Sequence, residues 1–101
     1  MYLSIGPDQV VSVHEADDFT RLHLELREIG PDAAGQALQA AGLGRLHGPD
    51  HAYLDLAALR GLASASATSP GWAAGWDAMV EYARRKGWLS ADGDAVRVHL
   101  A

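Results

Sequence analysis

The stretch PGWAAGWDAMVEYARRK, Pro70 to Lys86, limits the architecture of this chain more than any other. Trp72, Trp76, Met79, Val80 and Ala83 fall at i, i+4, i+7, i+8 and i+11, one apolar stripe at the helical period. Glu81 and Arg85 lie at i, i+4 on the wet side, and Arg84, Arg85 and Lys86 complement the negative end of a helix dipole. Ser69–Pro70 opens the segment, and Gly87 stands at the usual left-handed closing position. The spacing predicts a tryptophan-striped helix over about 70–86 that needs a second layer to cover its indoles. In WLSADGDAVRVHL, Asp92–Gly93 is a turn dipeptide, and Val96, Val98 and Leu100 alternate with Arg97 and His99. That pattern predicts a C-terminal β-hairpin.

Two further helices are expected upstream. GPDAAGQALQAAGLG carries proline near its first position, Asp32 in its first turn and Gly42 or Gly44 at its end. Asp55 is placed to cap a short helix, LAALRGL, after the strand or turn-strand RLHGPDHAYLDL. The small-residue run ASASATSP, Ala63 to Pro70, reads as a loop.

The stretch VSVHEADDFTRLHLELREIG, Val11 to Gly30, admits two periods. As a helix it has caps at Asp17 or Asp18 and a stop at Gly30–Pro31, with Phe19, Leu22, Leu26 and Ile29 on one stripe. As strands, Val11 and Val13 alternate in one arm, and Leu22, Leu24 and Leu26 in the other. The helix leaves Leu24 on the wrong face and collides with the next helix after almost no turn, so the strand reading is preferred. Pleat parity then sets Val13 against Leu22 and Val11 against Leu24, with EADDFT as the loop of an N-terminal hairpin. His14, His23 and Glu25 share the outer face, with Arg21 opposite His14 and Ser12 opposite His23. The two histidines then become diagonal neighbours, about 7–8 Å apart.

The expected fold is therefore α+β: a single domain over residues 1–101, with a hairpin at each end, two or three short helices and the long one between. At 49% hydrophobic and 21% charged, the chain has the composition of a folded globular protein. The formal net charge of −5 disfavours nucleic acid and anionic membrane as default partners. With no cysteine, disulfides, thiolate metal sites and cysteine nucleophiles are excluded. The start MYLSIGPDQVV lacks the basic head and apolar run of a signal peptide, and no segment approaches the ~20 apolar residues of a membrane span. A cytoplasmic location is expected.

Three surfaces compete for function. The first is the histidine–carboxylate face of His14, His23 and Glu25, with Glu15, Asp17 and Asp18 in the adjoining loop. Imidazole and carboxylate suit zinc or iron, but Arg21 across from His14 opposes a bound cation, so no metal or cofactor is assigned. The same face can be read for acid–base work through His14, His23 and then His51, yet no companion nucleophile, phosphate loop or metalloprotease motif accompanies it. No catalytic residue is assigned.

The second is nucleic acid. From Pro31 onward the order helix, strand, short helix, longer helix, hairpin resembles that of a winged helix-turn-helix domain over the last two-thirds of the chain. The resemblance implies that the N-terminal half of the long helix enters the major groove. That half, PGWAAGWDA, has no arginine or lysine; the basic candidates are Arg84, Arg85, Lys86 and Arg97. The wing tip ADGDA is acidic.

The third is a protein interface at Trp72, Trp76, Tyr82 and Trp88, because three indoles in one region are difficult to bury in so small a core. The function expected first is a non-catalytic protein-interaction or regulatory module, acting as a homodimer or with a protein partner.

Overall fold

Leu3 and Ile5 anchor the N-terminal half of the sheet. In the computed structural model, which describes all 101 residues, both are fully buried, on a strand to which the sequence pattern assigns nothing. This strand, β1 (Tyr2–Ile5), is followed by β2 (Val11–His14), β3 (His23–Leu26), α1 (Pro31–Ala40), β4 (Gly44–His47) and β5 (His51–Asp55). Then come α2 (Leu56–Ser64), α3 (Trp72–Arg85) and β6 (Ala95–Leu100). The six strands form one mixed sheet in the order β2-β1-β3-β6-β5-β4. The α+β class, the strands at both ends and the tryptophan helix all stand.

The N-terminal hairpin exists, with different partners from those that parity alone suggests. β2 pairs antiparallel with β1, and β3 pairs parallel with β1 on its other side. β1 thus separates the two strands expected to pair. Its two inward side chains are wholly apolar and take the position between β2 and β3, whereas Val11 and Val13 of β2 are half-buried at the sheet edge. The face assignments survive this change: Val11, Val13, Leu24 and Leu26 point inward, and Ser12, His14, His23 and Glu25 outward.

Gly75 allows α3 to meet the β2–β3 loop. A Cβ there would stand 2.3 Å from the ring of Phe19, which packs on Trp72 at 5.8 Å between centroids. Gly44, at φ 153°, plays a similar part on the other side: a Cβ would fall 2.0 Å from the carbonyl oxygen of Tyr53. Asp55 caps α2, accepting from the backbone N–H of Ala58 at 2.9 Å. α2 extends through Ala63 and Ser64, so the expected loop starts two residues late, and Ala63 is core.

One core joins the inward residues of every strand except edge β4 and β2 to Ala34, Leu38, Leu59, Trp72 and Trp76 of the helices. The helices cover one face of the sheet, and the other is left to solvent. The sheet is also built of two halves. β3 meets β6 over two residue pairs only, His23–His99 and Leu24–Leu100. The front of β6 instead bridges to Leu89 through Val96, which is the short C-terminal hairpin. Beside that brief junction a notch remains.

Candidate functional site

Following the register across the strands gives one continuous row. His14 lies opposite Tyr2, Tyr2 opposite His23, His23 opposite His99, His99 opposite His51, and His51 opposite His47. The chain has five histidines, and all five stand in this row on the uncovered face. Neighbouring strands are ~4.8 Å apart, so the row is about 24 Å long. It follows the line where the two halves of the sheet overlap.

Local contacts fix the row at both ends. Tyr2 stacks on His14 at 4.7 Å and on His23 at 5.1 Å, with interplanar angles of 16° and 9°. His14 Nε2 shares a 2.8 Å hydrogen bond with the hydroxyl of Ser4. His23 Nδ1 lies 2.6 Å from the carbonyl of Arg21, and its Nε2 lies 3.3 Å from Glu25. The rings of His51 and His99 meet edge to face at 5.6 Å, and His47 meets Tyr53 the same way at 4.9 Å.

Beyond the row, the face carries Arg45, Arg97 and Tyr53, with the guanidinium of Arg45 5.0 Å above the Tyr53 ring. Its two carboxylates are already engaged. Asp55 caps α2, and Glu25 binds Arg27 at 2.9 Å as well as His23. The Arg27 guanidinium, then the His23 ring, hold the Glu25 carboxyl below its usual range. Neither strand carboxylate of this face is therefore free, while Asp92 and Asp94 of the turn before β6 stand at its Arg45–Tyr53 corner.

The sequence reading brings His14, His23 and Glu25 to one face correctly, and misplaces their neighbour. Tyr2, rather than Arg21, stands opposite His14, which puts the two histidines a full strand apart, about 10 Å. Arg21 precedes β3 in a left-handed conformation, φ 57°. Removing it from His14 lifts the electrostatic objection to a cation there. Even so, no three His, Cys, Asp or Glu side chains converge as a metal-holding group.

The four aromatic interface candidates divide. Trp72 and Trp76 are core, 7% and 4% exposed, and stack on each other at 5.5 Å. The indole area that the sequence leaves uncovered is absorbed because the sheet has six strands, a larger lid than two hairpins provide. Tyr82 and Trp88 do remain at the surface, 48% and 37% exposed, as an edge-to-face pair at 5.7 Å. They rim a cleft of about 620 Å³ in the notch beside the β3–β6 junction.

The basic candidates are scattered. Arg84 binds Glu81 at 3.2 Å, Lys86 lies 5.5 Å over Tyr82, and Arg85 ends α3, whereas Arg97 stands on a strand of the sheet. The half of α3 that a winged helix would offer to DNA carries the two buried tryptophans, and β6 lies inside the sheet rather than standing out as a wing. The winged-helix order is thus carried by a different architecture.

No helix is long and apolar enough to cross a membrane. No protein-family model, curated protein or solved structure matches this chain.

Proposed function

We propose that this chain is a non-catalytic interaction module that receives an acidic peptide segment of a partner protein across the open face of its sheet. The observation that carries the reading is the row of five imidazoles and Tyr2 spanning all six strands. A row about 24 Å long matches about seven residues of extended chain at ~3.3 Å each. Arg45 and Arg97 flank it, and the strand carboxylates Glu25 and Asp55 are already engaged, which leaves Asp92 and Asp94 at the Arg45 corner as the acidic groups beside the face. Imidazole rings offer N–H donors to the carboxylates of such a ligand. A peptide suits it better than duplex DNA, because the rest of an acidic chain repels a long polyanion.

Anisotropy titration of a labelled hepta-glutamate peptide, with hepta-glutamine as control, tests this. The glutamate peptide binds at least about tenfold more tightly than the glutamine peptide, and His23→Gln with His99→Gln weakens it. Equal binding of the two peptides sinks the reading. Tighter binding of a single-stranded oligonucleotide than of the peptide reassigns the face to nucleic acid.

Self-association is a second reading, favoured by the sheet edges. β2 and β4 each have one neighbour, and Val10 is exposed beside β2. Open edges pair readily with a symmetry-related copy. Sedimentation should then give a dimer that Val10→Lys returns to monomer; a monomer at high concentration contradicts it.

A further inference from the structure

The cleft in the sheet notch has an apolar interior and a one-signed rim. Leu22, Met79, Val80, Trp88 and Val98 form its walls. Its charged or chargeable lining other than Tyr82 is Arg21, Arg97, His51 and His99, and no aspartate or glutamate lines it. That is unexpected on composition, since the chain has 13 acidic residues against 8 lysines and arginines. Neither arginine is spent elsewhere: the ion pairs of the structure are His23–Glu25, Arg27–Glu25 and Arg84–Glu81. The carboxylate nearest in influence to Arg21 is Asp18, which the hydroxyl and then the backbone N–H of Thr20 already hold below its usual range.

The cleft exists because β3 and β6 pair over only two positions, so that Leu22 ahead of β3 and Val98 of β6 line it without strand pairing between them. Arg21 on its rim is held at φ 57°, one of four non-glycine residues in the left-handed region. A volume of about 620 Å³ lies in the range of small-molecule sites.

We infer that this cleft binds a small anionic amphiphile, a carboxylate on an apolar body, with the body against Met79, Val80 and Trp88 and the carboxylate between Arg21 and Arg97. The site is distinct from the peptide face proposed above, although Arg97, His51 and His99 border both. A guanidinium pair recognises a carboxylate through charge-assisted hydrogen bonds, while the walls supply affinity by burial.

Octanoate and 1-octanol, which share a chain length and differ in charge, are the probes. Calorimetry and the emission of Trp88 should show saturable octanoate binding at least about tenfold tighter than octanol. Arg21→Gln with Arg97→Gln should bring the two to within about twofold while leaving octanol binding unchanged; both side chains are exposed, and far-UV circular dichroism checks the fold. Equal affinity for the probes in the native chain, no saturable binding of either, or a preference for octanoate that survives both substitutions overturns the assignment. None of these outcomes depends on the peptide titration, so the two proposals fail separately.

Discussion

The indole N–H of Trp72 donates a 2.7 Å hydrogen bond to the carbonyl of Ala16, tying α3 to the β2–β3 loop at one buried polar point. Trp72→Phe keeps an aromatic ring and deletes the donor, leaving the Ala16 carbonyl unsatisfied. Such an orphaned group costs about 1–3 kcal/mol. Urea unfolding checks this, and a loss under ~0.5 kcal/mol would show that the carbonyl finds another partner.

Two helical glycines should respond with opposite signs. A Cβ on Gly61 of α2 meets nothing within 4 Å, so Gly61→Ala should raise stability by about 0.4–1 kcal/mol through a less flexible unfolded chain. Gly75→Ala gains a similar propensity term but drives a methyl into the Phe19 ring, at 2.3 Å. Overpacking costs about 1–3 kcal/mol, so the net change should be a loss. Thermal melts of the pair read the contrast directly.

Asp17 fastens the loop before α3. Its carboxylate accepts from the backbone N–H of Ser69 at 3.0 Å and from the hydroxyl of Thr68 at 2.9 Å. Those bonds, that from Ser69 first, lower its pKa from the ordinary 3.8. A depressed acid stabilises the fold fully above its unfolded value and loses that contribution as pH falls through the native one. Asp17→Asn should therefore be less stable than the native chain at neutral pH, with the gap closing from about pH 4 downward. A gap that is constant down to about pH 2 contradicts the clamp.

The helices were legible because their signals are local: proline at the start of α1, aspartate capping α2, and the stripe on α3. Strand facing was legible too, since parity needs only one strand at a time. Strand order was not. Tyr2–Ile5 has just two inward apolar positions, and nothing in four residues announces a strand inserted between two others. That one insertion replaced Arg21 with Tyr2 beside His14.

Part of the row could have been read directly. In HGPDH the turn sets His47 against His51, a pair fixed by loop length alone. The alignment of His23 with His99 joins strands 76 residues apart in sequence, and only tertiary packing sets it. Trp72 and Trp76 were candidates for an interface because the size of the covering sheet is invisible from their own helix.

The open face is tested most directly by chemical-shift mapping. Titrating the hepta-glutamate peptide into labelled protein near pH 6 should move the amide and imidazole signals of His14, His23, His51 and His99, with Arg97 and Tyr53 beside them. Signals of α1 and α2, on the covered side, should stay in place. Shifts confined to the helices, or none at saturating peptide, would contradict the account.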